Sequence, residues 1–510
     1  MKLRIGPELF DLKSRAMRRF MRVISPCGLL ISMLFCSVYY SAAQSNAQGN
    51  TFGLHLHPCV IGKSGIRSLC GTFGVYEDRE AHLGRVVSVN LILMKASRQT
   101  RGVIAFLAGG PGQSAAAFAQ PVADQRFAKA LSILRSDHDL LFVDNRGMGE
   151  SNPFSCDFTP TADPSAYFLQ LWPDKLVAQC RSSSALTHNV AYYDTTNAVD
   201  DLDDIRSALY IPKLVLYGAS DGAFFSFIYM RRHPTHVESA VLMGVAPPGF
   251  QPLPGAPDGA QKALDDLIAD CNKDITCSSH FPHFAAHFDA VLKRFNAGPV
   301  EMKVKAANNS YETVRLSKEV FVDELRQVLD DPSNAAYIPY VIENAYNRDY
   351  SPLSELINAV SLGLAHALNW GAFLSYSCAD WMPFVSRSEI ERTGKDSFAD
   401  GLRYLAQHRA CSIWDVPPMP PSFNAPVHSD APVLMISGSD DPATPPSYAE
   451  AELPYLPNGR LIIVKGAGHA AELPCTDRLI IQFVRLQSAK PLANASCESS
   501  FRRPSFATSD

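Results

Sequence analysis

A serine between glycines, an aspartate before a proline and a histidine after a glycine stand far apart in this chain of 510 residues, in that order: Gly218-Ala219-Ser220-Asp221-Gly222, Asp441-Pro442 and Gly468-His469. A serine hydroxyl is a weak nucleophile until a nearby base takes its proton, and an imidazole does this best when a carboxylate orients it. The three residue types suit acyl transfer through a covalent intermediate on Ser220, with His469 as base. For the acid, Asp440 and Asp441 stand side by side and both fit. Charge developing on the attacked carbonyl oxygen needs N–H donors, one of which can contribute about 3 kcal/mol. The turn Gly109-Gly110-Pro111-Gly112 can offer an amide with no side chain in the way, and Gly110 is the candidate there. The backbone N–H of Asp221, just after the serine, is the second.

Such groups need a scaffold that holds them within reach of one another. A G-x-S-x-G pattern alone is common by chance, but here the apolar run Leu214-Val215-Leu216 precedes it and a helical stretch from Phe224 to Arg232 follows. That strand-turn-helix context is the nucleophile elbow, and nucleophile, acid and base come in the chain order of an α/β-hydrolase. Val87–Met94 alternates as an early strand would, and Val103–Leu107, Leu140–Val143, Ala240–Met243, Val433–Ile436 and Leu461–Val464 read as short buried strands. Strand, loop and helix in alternation imply a mostly parallel central sheet covered by helices on both faces. His469 then lies at the carboxyl end of the last strand, where ligand-facing residues gather in open α/β sheets.

From about Leu253 to Pro421 the pattern turns helical, as in Glu319–Leu329 and Ala359–Ala367, without buried-strand runs and between two Pro-rich links. The expected organisation is a leader over 1–43, a first part of the core over 44–252, an inserted and mainly helical cap over 253–421, and a second part of the core over 422–510 with acid and base. Asp144 and Arg146 read as a structural ion pair beneath the site. His55 and His57 read as surface histidines rather than metal ligands.

Composition sets the class. With 46% hydrophobic and 19% charged residues the chain is globular. Its first 22 residues are basic, an apolar stretch from Cys27 to Tyr40 follows, and Ser41-Ala42-Ala43 supplies the small residues of a cleavage site, so a signal for export is expected, the alternative being an uncleaved amino-terminal anchor. Seven basic and two acidic side chains fall in the first 43 residues, so the remainder carries −10 against −5 for the whole chain. An acidic surface without basic clusters argues against nucleic acid or an anionic membrane as partner, and no stable membrane association is expected after cleavage. The ten cysteines beyond the leader suggest disulfides in sequential pairs, 59–70, 156–180, 271–277, 378–411 and 475–497.

The chain resembles the α/β-hydrolase serine peptidases that include proline iminopeptidases and, more closely, secreted bacterial tripeptidyl aminopeptidases. The resemblance rests on Gly109-Gly110-Pro111-Gly112-Gln113-Ser114, Asp144-Asn145-Arg146-Gly147-Met148-Gly149, Tyr217-Gly218-Ala219-Ser220, Asp441-Pro442-Ala443-Thr444-Pro445 and Gly466-Ala467-Gly468-His469. It selects Asp441 as the acid. It implies a peptide or small acyl substrate, attack at the free amino end, and no metal or organic cofactor. It also implies carboxylates in the cap that hold a substrate ammonium, for which Asp380 and Glu343 are candidates, with Trp370, Trp381 and Phe384 as possible apolar lining. Three positions depart from the pattern: Ala108 where His is usual, Met243 where Asp is familiar, and Asp221 where Tyr is usual. The last puts a carboxylate beside an oxyanion site, which favours an esterase or amidase acting on small non-peptide substrates as the competing enzyme; a binding protein on the same scaffold is the non-enzyme alternative.

Overall fold

The structure is a computed structural model that describes residues 52–509 apart from 155, 159–162, 250–255, 306–310, 470, 493–494 and 498–500. The leader expected over 1–43 and most of the first Pro-rich link lie outside the described residues. No helix among the described residues is long and apolar enough to cross a membrane.

Short runs of consecutive apolar residues become central strands because both their faces are covered. In β4 (Val103–Leu107) every residue is buried. Val103, Ala105 and Leu107 enter the core on one side of the sheet, and Ile104 and Phe106 the core on the other. With β1 (Gly53–Ile61), β2 (Ile66–Asp78), β3 (Leu83–Met94), β5 (Asp139–Val143), β6 (Leu214–Ala219), β7 (Val237–Met243), β10 (Val433–Gly438) and β11 (Gly459–Val464), this strand forms a nine-stranded sheet among the described residues, in the order β1-β2-β3-β5-β4-β6-β7-β10-β11. Neighbours from β5 to β11 are parallel, and β1, β2 and β3 form an antiparallel meander on one edge. This is the expected α/β-hydrolase sheet. The meander's first two strands had no buried run to announce them; β1 is an edge strand with His55 and His57 exposed, tied to β2 by Cys59–Cys70.

The register fixes where chemistry can happen. Ala219 lies opposite Met243, Met243 opposite Ile436, and Gly438 opposite Val464, so the carboxyl ends of four adjacent strands line up. Ser220, Gly244, Asp441 and His469 sit in the loops that follow.

The cap is helical, with Ala256–Lys273, Lys318–Leu329, Ile338–Tyr346, Ser351–Ala367, Trp370–Asp380 and Leu402–Trp414 as its main elements. It also contains an antiparallel hairpin that the helical reading passed over, β8 (Val300–Lys305) with β9 (Tyr311–Leu316). Met302, Val304, Val314 and Leu316 are buried while Glu301, Lys303, Thr313 and Arg315 face solvent, the period-two pattern of a half-covered strand. A second departure lies before the cap. Between β5 and the helix Thr195–Ala208 the chain leaves the sheet, is closed by Cys156–Cys180, and places Phe158, Tyr167, Leu171 and Trp172 in the wall of the cavity under the cap. The covering of the site is therefore not confined to 253–421. All five cysteine pairs are joined in sequential order. The carboxyl-terminal segment ties cap to core, since Arg503 bridges Asp270 and Asp440, each at 2.8 Å, and Ala507 N–H donates to the Ala336 carbonyl.

Candidate active site

The glycines around Ser220 are steric requirements. A Cβ at Gly218 would lie 2.2 Å from the Gly222 carbonyl oxygen, and one at Gly222 would lie 2.1 Å from that of Leu107. With both positions bare, the strand can turn into the helix Asp221–Arg232 within one residue, and Ser220 takes φ 57° and ψ −121° to do so. A non-glycine residue tolerates such a conformation only when its surroundings impose it. Here the Ser220 N–H donates to the Met243 carbonyl at 2.9 Å, and β6 and the helix hold either side. The side chain is thereby raised from the sheet into the cavity.

In the same cavity wall, His469 Nδ1 lies 2.8 Å from Asp441 Oδ2. Asp441 is 1% exposed, and each of its oxygens is occupied: Oδ1 accepts from Ala443 N–H and Thr444 N–H, Oδ2 from the Thr444 hydroxyl at 2.7 Å and from His469. Burial alone would raise this carboxyl, but the His469 charge and these donors outweigh it and hold Asp441 below the usual carboxylate range. Burial likewise depresses His469, and the Asp441 charge and hydrogen bond reverse this and raise it to about 9. Asp440, the other acid open in the sequence, turns away: it accepts from Ser439 Oγ and Arg503 and faces the carboxyl-terminal segment.

The histidine loop is anchored by the cap, which nothing in the sequence indicated. His469 N–H donates to the Asp330 carbonyl at 2.8 Å, and a Cβ at Gly468 would lie 2.3 Å from that oxygen. Gly244 follows β7 beside the imidazole, where a Cβ would come 2.7 Å from His469 Cε1. Thr444 was also missed. Its position within Asp441-Pro442-Ala443-Thr444 is the signal that could have found it, since a hydroxyl three residues after a buried carboxylate can fold back on it.

The first candidate oxyanion loop packs against the start of a cap helix. Gly110 has φ 120°, and a Cβ there would lie 2.8 Å from Gly112 N and 3.1 Å from Leu368 Cδ2. Gly112 accepts from Asn369 N–H. Asp144 organises this loop from below, accepting from the Ser114 hydroxyl, Ala116 N–H, Asn90 Nδ2 and Glu150 N–H. The expected Asp144–Arg146 ion pair is not made. Arg146 instead pairs with Asp201 through Nε at 2.7 Å and Nη2 at 2.8 Å, because loop carbonyls and helix Thr195–Ala208 surround it. The second candidate donor, Asp221 N–H, opens its helix, where N–H groups have no intrahelical acceptor and the helix dipole is positive.

Ser220, His469, Gly110 and Asp221 share one cavity of about 420 Å³, whose wall is largely aromatic and aliphatic and includes Trp172, Trp370, Phe373 and Trp381. Phe384 is not part of that wall. Asp380 does not reach the cavity either: it is 2% exposed, and its Oδ2 accepts from Thr195 N–H and the Thr195 hydroxyl. The helix Trp370–Asp380 turns this residue inward, so it cannot meet a substrate ammonium. Glu343 sits outside the cavity on helix Ile338–Tyr346 and accepts from His287 Nδ1 at 2.7 Å. The acidic residues that do line the cavity are Asp221, Asp323 and Asp330.

A family model described as the α/β hydrolase fold matches residues 102–274, and one described as TAP-like protein matches residues 397–497, the stretch holding Asp441 and His469. Serine protease Hip1 of Mycobacterium tuberculosis is 24% identical over 463 residues, covering 84% of this chain and 87% of that protein. The chain has the α/β-hydrolase fold, and the two models with Hip1 support an α/β-hydrolase serine peptidase family. Tripeptidyl aminopeptidase of Streptomyces lividans is 31% identical over 196 residues, 35% of each chain. Carboxylesterase B of M. tuberculosis is 27% identical over 229 residues, 41% of this chain and 42% of that one. Together the matches support a serine hydrolase of the α/β fold.

Proposed function

We propose that this serine hydrolase is an exported aminopeptidase that releases single residues or short peptides from the free amino end of peptides. One observation carries the reading: the strained Ser220 elbow and the Asp441–His469 pair open into the same apolar cavity, closed over by the cap. Ser220 Oγ attacks the scissile carbonyl carbon while His469 Nε2 takes its proton. Asp441, held by Thr444, keeps the Nδ1 proton in place and stabilises the imidazolium. The N–H groups of Gly110 and Asp221 receive the oxyanion. His469 then gives its proton to the leaving amine, and water attacks the acyl-enzyme by the same route in reverse. A roofed cavity suits chain ends rather than mid-chain segments, and a relative carries the name tripeptidyl aminopeptidase. Five disulfides suit an oxidising compartment.

The test is release of aminomethylcoumarin from Ala-, Pro- and Ala-Ala-Pro-substrates by the wild type and Ser220→Ala, each substrate also with its amine acetylated. Turnover that vanishes in the variant and on acetylation is expected, and the substrate length shows whether one or three residues leave. Cleavage of short esters alone would sink the peptidase reading in favour of an esterase, which the unpartnered Asp221 beside the oxyanion site would then explain.

A further inference from the structure

The charged groups that face the cavity divide unevenly. Arg326 lies 3.2 Å from Asp330 and 3.6 Å from Asp323, and Arg403 lies 3.0 Å from Asp323, so two arginines and two aspartates neutralise one another in the cap wall. Asp221 is left over. It is 9% exposed, lines the cavity, and among the described residues it makes no hydrogen bond or ion pair. Behind it lies Asp380, whose carboxyl is held well above the usual carboxylate range by burial and by its neighbours Asp194 and Asp221, and whose Oδ1 has no hydrogen-bond partner. Trp381, Phe373 and Phe224 belong to the same cavity wall and carry aromatic rings that attract a cation.

We propose that Asp221 is a specificity-determining residue that receives a cationic group, an ammonium or guanidinium, carried by the acyl residue that becomes attached to Ser220. This rests on the acyl-enzyme reading above and deepens it. Being next to the nucleophile, Asp221 can only meet a group close to the scissile carbonyl: the side-chain cation of a lysine- or arginine-like residue, or the α-ammonium of a single released residue. Burial pushes the Asp221 carboxyl up to about 7, and an incoming cation offsets that cost, with aromatic faces adding to the attraction. The same cation screens the carboxylate from the oxyanion, whose N–H donor belongs to the same residue. A neutral acyl group leaves that repulsion in place. The preference therefore shows in kcat as well as in KM.

Thiobenzyl esters, which a peptidase and an esterase both cleave, separate this proposal from the aminopeptidase reading. The probes are the esters of lysine and norleucine, each with its α-amine free and acetylated, on wild type, Asp221→Asn, Asp221→Glu and Ser220→Ala. A kcat/KM preference of tenfold or more for the cationic member of a pair is expected in the wild type, falling to within about threefold in Asp221→Asn and retained in Asp221→Glu, with kcat on the acetyl-norleucine ester raised in Asp221→Asn. The ratio removes any general loss of activity in a variant. Preference for acetyl-lysine over acetyl-norleucine assigns the site to the side-chain cation, and preference for free over acetylated norleucine assigns it to the α-ammonium. Ratios near one in the wild type, or ratios unchanged in Asp221→Asn, would overturn the proposal. Uncut coumarin amides beside cut esters would remove the aminopeptidase reading while leaving the ester ratios to decide this one. Ester cleavage surviving in Ser220→Ala would overturn both.

Discussion

Asp441 and Asp221 are both buried aspartates just past the carboxyl ends of sheet strands, at 1% and 9% exposure, yet they are opposite in character. Asp441 receives four donors and is held below the usual carboxylate range; Asp221 receives none and is pushed up to about 7. Burial is the largest influence on each, and it raises both. What separates them is the His469 charge together with hydrogen bonding: a desolvated carboxylate stays ionised when a cation and donors replace water, and is driven toward its neutral form when they do not. The protein has furnished one acid to work through the histidine and left the other for something from outside.

The comparison breaks first at Asp441. Asp441→Asn should lower kcat by on the order of 10⁴-fold, because the imidazole then loses both its orientation and its counter-charge. Asp440→Asn should stay within a few-fold of wild type, and equal losses in the two variants would reassign the acid. The pH profile sharpens the same side. His469 must be neutral to accept the serine proton, and it is raised to about 9, so kcat/KM should climb as pH increases from 7 through about 9. In Asp441→Asn the residual activity should show that limb at lower pH; a limb in the same place would separate it from His469.

On the other side, Asp221→Asn should stabilise the fold. Burial pushes the native carboxyl up to about 7 while the unfolded one keeps its ordinary value near 3.8, so the native state holds the extra proton between these values and stability falls as pH rises through that window. Urea denaturation at pH 8 should therefore show the variant more stable by up to about 4 kcal/mol, the gain fading toward pH 4. A variant less stable than wild type at pH 8 would mean that Asp221 has a partner inside the fold. Thr444→Val removes one of four donors to Asp441, and a loss of about 2 kcal/mol in transition-state stabilisation, some 30-fold in kcat/KM, is expected. The smallest effect belongs to the tether between cap and core: Arg503→Ala should cost about 1 kcal/mol in thermal or urea unfolding, with kcat/KM within about threefold. A larger catalytic loss there would show that Asp440, through its neighbour Asp441, transmits the state of the carboxyl-terminal segment to the site.

Much of this architecture was legible because local rules dominate it. Runs such as Val103–Leu107 and Val433–Ile436 can be stable only as central strands, and Gly218 and Gly222 flank a serine at distances that exclude any side chain. The meander of β1 and β2 and the hairpin of β8 and β9 were not seen, since half-exposed strands lack a buried run and show only alternation, which helical windows blur. The cap carboxylates failed differently. Asp380 and Glu343 have the right chemistry, but which way a side chain on a helix faces depends on what the helix packs against, and that is not local information.

The sequence by itself determined the order of the nucleophile, acid and base candidates, the serine and the histidine among them, the strands that carry them, and the departure at Asp221. Those are properties of residue type and near neighbours, set by sterics and by the period of apolar residues. Only the tertiary structure decided that Asp441 rather than Asp440 meets His469, that Arg146 pairs with Asp201, that a cap carbonyl holds the histidine loop, and that Asp221 is left without a donor. Each of these depends on which groups from distant segments arrive within hydrogen-bond distance, and the sheet register and the docking of the cap, not the local sequence, set that distance.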